Sequence, residues 1–118
     1  MDALLTVPRE ATPAVVFLRS EIPAEHPSAA ILGQERLGTG VAVAADRILT
    51  AHYLVMGARE VEVTAFDGRP RTVRRTAIDH TTGLALVTLE GPELRPARVE
   101  ERREPQPGLP VFLLTCTR

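Results

Sequence analysis

Glycine and proline divide this sequence into short pieces. Eight glycines and ten prolines are scattered along the 118 residues rather than gathered in one region. Both residue types interrupt regular structure and mark turns. The pieces between them are short and have alternating or continuous apolar character, which is typical of β-strands. The sequence therefore predicts an all-β fold made of short strands, and a barrel or sandwich rather than an α/β fold.

About seven strands are predicted, with short turns between several of them. They are Ala14–Leu18, Leu37–Ala44, Arg47–Thr50, Val61–Ala65, Thr72–Ile78, Leu84–Leu89 and Leu109–Leu114. Ala45-Asp46 predicts a tight turn, and Asp67-Gly68 supplies the positive φ that a hairpin needs. One helical turn is predicted at residues 51–57, where Gly57 would stop it.

Length and the remaining segments indicate one domain. A chain of 118 residues can bury one small core. Residues 22–32 are predicted to form a long excursion, and residues 91–108 an exposed connection with a short extended piece at 97–99. Residues 1–11 are expected to be flexible or peripheral to this single domain.

Composition excludes several classes of partner and location. The chain has 14 basic and 15 acidic residues and no Trp, so a nucleic-acid ligand is not expected. No apolar run approaches 18 residues, and the N-terminus lacks the features of a signal peptide, so no membrane span or leader is predicted. Cys116 is the only cysteine, which favours a reducing, cytoplasmic setting.

Five short motifs occur in a characteristic order. They are Gly38-Thr39-Gly40, Ile48-Leu49-Thr50, Gly57-Ala58, Asp67-Gly68, and Asp79 followed by Leu84-Ala85-Leu86. This order resembles the first barrel of HtrA-type trypsin-like serine proteases, over residues 14–114 and without gaps between 48 and 86. The resemblance implies a single antiparallel barrel of six or seven strands with one short helical turn, the N-terminal half of a trypsin-like double barrel.

The same resemblance places the catalytic positions of the family on unsuitable residues. The family's catalytic His falls on Tyr53, and its Asp falls on Gly83. A phenol with a pKa near ~10 is a poor base at neutral pH, and glycine can orient nothing. The family's Gly-x-Ser-Gly nucleophile motif is absent, and the two serines, Ser20 and Ser28, precede the Gly38-Thr39-Gly40 strand.

Three functions follow from these residues. The first is a non-catalytic, protease-derived module that binds protein or acts as a scaffold. The second is the histidine-bearing half of a divergent endopeptidase, with His52 as the base and Asp79 as the nearest carboxylate to orient it. The third is an unrelated small all-β binding barrel. An isolated first barrel would expose an apolar face, so a second barrel, a separate chain or a second copy is the expected partner.

No metal or cofactor is expected. The spacings of His26, His52 and His80 fit no zinc-ligand pattern, and no cysteine cluster supports them. Gly38-Thr39-Gly40 lacks the third glycine and the helix of a phosphate-binding loop, so it is interpreted as a strand where the backbone approaches closely. The arginines between residues 69 and 75 are interpreted as a solvated strand face.

Overall fold

Six antiparallel strands form a closed barrel. The structure is a computed structural model that describes residues 8–101 and 104–116. The strands are β1 (Val15–Glu21), β2 (Glu35–Ala44), β3 (Arg47–Ala51), β4 (Glu60–Thr64), β5 (Pro70–Asp79) and β6 (Leu84–Glu90). Their order around the barrel is β1-β2-β3-β6-β5-β4, and β1 closes it by pairing with β4. The predicted all-β barrel is confirmed.

The barrel interior is filled by alternate side chains of these strands. Inward positions of β1, β3, β4 and β6 are occupied by aliphatic residues that are almost completely buried, including Leu18, Ile48, Val63 and Val87. Burying a side chain of this size contributes roughly 1.5–3 kcal/mol. This repeated contribution stabilises the barrel.

The two glycines of β2 leave space for core side chains. A Cβ at Gly38 would lie 2.4 Å from Leu54 Cδ1, and one at Gly40 would lie 2.9 Å from Leu18 Cδ1. Any larger residue would therefore collide with the core. The interpretation of Gly38-Thr39-Gly40 as a close backbone approach within a strand agrees with these distances.

The predicted seventh strand, Leu109–Leu114, is wrong. This segment has no regular secondary structure, and Val111 and Leu113 are 87% and 92% exposed. The physical reason is that each of the six strands pairs with two others, so none is the outer edge of an open sheet, and the unpaired stretches of β4 and β5 lie within the barrel wall. Leu109–Leu114 therefore has a strand-like sequence but no strand to pair with.

Helical structure is also more widespread than predicted. The turn expected at residues 51–57 contains a 3-10 turn, His52–Leu54. A one-turn helix, Ala29–Leu32, lies in the excursion and ends at Gly33, and a 3-10 turn occupies Thr12–Ala14. Residues 51–57 are therefore not the only helical piece.

The segments outside the strands are partly fastened to the barrel. Leu94 is buried, and its N–H donates to the Ala45 carbonyl at 2.8 Å, so residues 91–101 are not wholly exposed. Residues 8–11 are helical, whereas the expectation for residues 1–7 lies outside the described part. Within the described ranges, no helix has the length and apolar character needed to cross a bilayer.

Candidate functional site

The candidate site begins where β3 ends. Ala51 is the last residue to pair with β6, opposite Leu84. The N–H of the next residue, His52, donates to the Gly83 carbonyl at 2.8 Å. This hydrogen bond joins the turn after β3 to the loop before β6. The two segments that carry the expected triad positions are thus in direct contact.

Buried contacts hold the turn that carries His52. Leu54 is 3% exposed and packs in the space left by Gly38. Val55 and Met56 donate their N–H groups to the His52 carbonyl. Gly57 ends the turn with φ +75°, and a Cβ there would lie 2.5 Å from the His26 ring. The turn therefore has a fixed shape with little room for change.

Arg36 is a buried cation that binds this turn. Its side chain donates from Nη1 to the carbonyls of Tyr53 and Met56, and the residue is only 4% exposed. Its other donors reach the Gly33 carbonyl at 3.3 Å and Ser28 Oγ at 2.8 Å. No carboxylate pairs with it among the described residues. Arg36 therefore fastens the excursion to the site turn.

Sequence reasoning missed Arg36. It lies in β2 beside Leu37, and hydrophobicity would place Leu37 inside and Arg36 outside. The structure has the reverse, because Leu37 is 50% exposed and Arg36 is buried. Arg36 binds backbone carbonyls of the turn that have no other partner among the described residues. These carbonyls could have indicated a buried cation, but they are identified only when the shape of the turn is known.

The His52 imidazole faces Gly83 and His80. Its Nδ1 lies 3.1 Å from the Gly83 carbonyl oxygen, and its ring meets the His80 ring edge-on with centroids 5.7 Å apart. A carbonyl oxygen only accepts, so this contact places the N–H on Nδ1. In the neutral ring, Nε2 then carries the lone pair.

Gly83 adjoins the imidazole but offers no carboxylate. A Cβ at Gly83 would lie 3.6 Å from His52 Nδ1, which is an ordinary contact distance. Its φ of +78° is a conformation that glycine adopts without strain. The structure therefore brings His52 and Gly83 together, while Tyr53, one residue later, is 43% exposed.

Asp79 is engaged within its own loop. Its Oδ1 accepts from the Thr81 N–H at 2.9 Å. This hydrogen bond, with a further one from the Thr82 side chain, lowers the pKa of Asp79. No ion pair within 4.0 Å joins it to His52 in the described residues.

The two serines lie outside this site. Ser20 is fully buried in β1. Ser28 Oγ lies 2.7 Å from His26 Nδ1 and accepts from Arg36. Over residues 8–101 and 104–116, no three His, Cys, Asp or Glu side chains converge as metal ligands would.

A closed six-stranded antiparallel barrel, with a histidine-bearing turn after β3 against the loop before β6, defines one half of a chymotrypsin-type protease fold. The chain belongs to the trypsin-like peptidase domain family, whose family model matches residues 38–118. The family resemblance of the ordered motifs is thereby confirmed.

Solved structures agree with this assignment. The serine endoprotease from Yersinia pestis has 24% sequence identity and a TM-score of 0.70, covering 88% of this chain and 35% of that one. The Rv3671c protease from M. tuberculosis, in its active form, has 27% identity and a TM-score of 0.64, covering 90% and 43%. This chain thus spans less than half of either. No curated protein sequence matches it significantly.

Proposed function

We propose that this chain is a non-catalytic, protease-derived barrel that binds protein or serves as a scaffold. The observation that carries the proposal is Gly83 beside His52, since the motif resemblance puts the family's aspartate at Gly83. A triad carboxylate holds the histidine tautomer and stabilises the imidazolium during proton transfer. A neutral carbonyl can do the first of these, but it carries no charge for the second.

The size of this loss argues against efficient hydrolysis. In a working triad, replacing the aspartate by its amide lowers kcat by about 10⁴-fold. The same resemblance puts the family's histidine at Tyr53, whose phenol is a poor base at neutral pH. Two of the three triad roles are thus without their usual side chains.

Exposed apolar side chains support the binding role. Leu37 and Tyr53 are about half exposed, and the segment from Leu109 to Leu113 exposes four apolar side chains. Apolar side chains of this kind mark an interaction site where they form one contiguous patch. The proposed partner is a protein, either a second barrel, on the same or a separate chain, or a second copy.

A second candidate is the histidine-bearing half of a divergent serine endopeptidase. The contact between His52 Nδ1 and the Gly83 carbonyl favours it, because that contact leaves Nε2 available as a base. In this case His52 replaces the family's histidine, one residue earlier. The nucleophilic serine would belong to a second barrel.

Activity-based labelling separates the two candidates. The chain and the full-length product of its gene are treated with a fluorophosphonate and assayed on peptide and ester substrates. We expect neither labelling nor hydrolysis. A labelled serine whose reaction is abolished by His52→Ala and accelerated by Gly83→Asp would replace the leading proposal with the second. Aspartate tolerates the positive φ of position 83 better than most residues do, so Gly83→Asp is a usable variant.

A separate measurement tests the binding role. Sedimentation velocity of the chain over a range of concentrations, with and without a separately expressed second barrel, reports self-association and barrel pairing. Association that is weakened by Leu113→Asp supports the proposal, since that side chain is exposed. If the chain neither self-associates nor binds the second barrel, the result counts against the binding role.

A further inference from the structure

Strands β4 and β5 pair over only two residues. Val63 lies opposite Arg71 and Thr64 opposite Pro70, next to the hairpin turn. Beyond these pairs, residues 60–62 are paired with β1 alone, and residues 72–79 with β6 alone. Two strand edges therefore face each other without hydrogen-bonding to each other. The space between them is a cleft of about 710 Å³.

The cleft opens into the barrel interior. Val61, Val63 and Val73 line it, and they give it an apolar floor. Thr76, opposite the buried Val87 of β6, also lines the cleft and is exposed. A residue at an inward-facing register that is open to solvent shows that the barrel wall is incomplete here.

An irregularity in β5 bends this strand beside the cleft. The register of β5 against β6 shifts between Val73 and Arg75, and such a bulge bends its strand. The cleft is therefore part of the barrel's own geometry.

The β4 rim of the cleft is acidic. Glu60 and Glu62 are both exposed lining residues. Glu62 lies 3.6 Å from Arg19, and Arg59 pairs with Glu21, so within the described residues Glu60 has no ion-pair partner. Two arginines also line the cleft, but Arg59 is paired with Glu21 and the buried Arg71 with Asp67. Among the described residues, Glu60 is thus the lining carboxylate without an ion-pair partner, and it leaves one negative charge beside the cleft for a basic ligand side chain.

We infer that the cleft binds an extended segment of another polypeptide, which adds as a strand between β4 and β5. Its backbone would bond to both open edges, valine-sized side chains would face the apolar floor, and basic side chains would alternate with them beside Glu60 and Glu62. Strand addition of this kind takes affinity from the main chain and specificity from alternate side chains. The inference rests on the proposed protein-binding role only in its choice of a polypeptide ligand.

A crosslink that closes the cleft provides the test. Glu62 and Thr72 are the next pair in register after Val63 and Arg71, and both are exposed. Glu62→Cys with Thr72→Cys, in a Cys116→Ser background, should join the two edges on oxidation and release them on reduction. The probe is a fluorescent, end-blocked peptide of alternating valine and lysine, followed by anisotropy. Controls are the valine-glutamate peptide and a valine-lysine peptide with alternate amides N-methylated.

Saturable binding of the valine-lysine peptide is expected for the unsubstituted chain. The reduced double-cysteine variant, which lacks Glu62, should bind it more weakly, lose this binding on oxidation and regain it on reduction. At least tenfold weaker binding is expected for both control peptides and for Glu60→Lys, but not for Glu93→Lys, an exposed glutamate outside the cleft. Amides in residues 60–62 and 72–76 should gain protection from hydrogen exchange.

Several results would overturn the inference. These are equal binding by the N-methylated peptide, binding that persists after crosslinking, or no binding by a variant shown to be folded. None of them bears on self-association or barrel pairing, which sedimentation measures separately.

Discussion

Replacing Arg36 by methionine removes the cation that ties the excursion to the site turn. Methionine can fill the space of the aliphatic stem, but it cannot donate to the carbonyls of Tyr53, Met56 and Gly33 or to Ser28 Oγ. Two of these bonds, to Tyr53 O and Ser28 Oγ, are short, and the other two are 3.3 Å long. The loss of stability should therefore come mainly from the hydrogen bonds to Tyr53 O and Ser28 Oγ.

The expected magnitude follows from the charge and burial of this side chain. A hydrogen bond to a charged group contributes about 1.5–3 kcal/mol, and part of it is regained when the guanidinium no longer has to be buried. We expect Arg36→Met to lower the free energy of unfolding by about 2–4 kcal/mol. For a domain of this size, each kcal/mol corresponds to about 4 °C, so Tm should fall by about 8–16 °C.

Urea unfolding followed by circular dichroism measures the change. The matched control is Arg47→Met, because the Arg47 side chain is 51% exposed and pairs only with Asp46 in the described residues. It should change stability by less than about 0.5 kcal/mol. Arg36→Lys keeps the charge without the planar fork and should lie between them. If Arg36→Met is as stable as Arg47→Met, or if amides 52–57 exchange no faster in Arg36→Met, then Arg36 does not hold the turn.

Three further changes test the core, the turn and the acid limit of stability. Ile48→Ala should cost about 2–5 kcal/mol in urea unfolding, whereas Ile31→Ala, at an 86% exposed residue, should cost almost nothing; similar losses would contradict the assigned core. Gly57→Ala should cost more than Gly68→Ala, since both have positive φ but only Gly57 is crowded, by His26; equal costs would show that the contact is unimportant. Hydrogen bonds from the Arg71 guanidinium and the Arg69 N–H lower the pKa of Asp67 from 3.8 to about 2. Because its folded pKa is depressed, Asp67 stabilises the fold above pH 3.8 and loses this effect as the pH falls towards about 2. The urea midpoint of Asp67→Asn should therefore depend less on pH over this range. An acid dependence equal to that of the unsubstituted chain would refute this prediction.

Local sequence patterns predict the strands and turns but not what each strand meets. The alternation in Val61–Ala65 and the Asp67-Gly68 turn depend on neighbouring residues, and both are found, with Gly68 at φ +79°. Leu109–Leu114 has the same strand-like composition and forms no strand. Whether this segment forms a strand depends on whether another strand lies beside it to pair with, which is a property of the whole barrel.

Only the part of the candidate site that depends on local sequence could be predicted. Motif spacing predicts that the family's triad positions fall on Tyr53 and Gly83, and the structure brings the segments that carry these residues into contact. Spacing could not reveal that His52 contacts the Gly83 carbonyl, or that Arg36 binds the turn. These contacts link residues distant in sequence, and the shapes of the loops between them determine the distances.

The closure of the barrel by β1 and β4 has a consequence for how the chain folds. These strands are separated by roughly 40 residues, which include β2 and β3, and β3 must also wait for β6. The other four pairings join consecutive strands and can form from nearer segments, but closing the barrel through β1–β4 and β3–β6 loses loop entropy before the core is complete. Folds dominated by such pairings reach the native state in milliseconds to seconds, whereas helical bundles need only microseconds to milliseconds. Until β6 has been synthesised, β3 lacks one of its two neighbours, so a nascent chain exposes unpaired strand edges during translation.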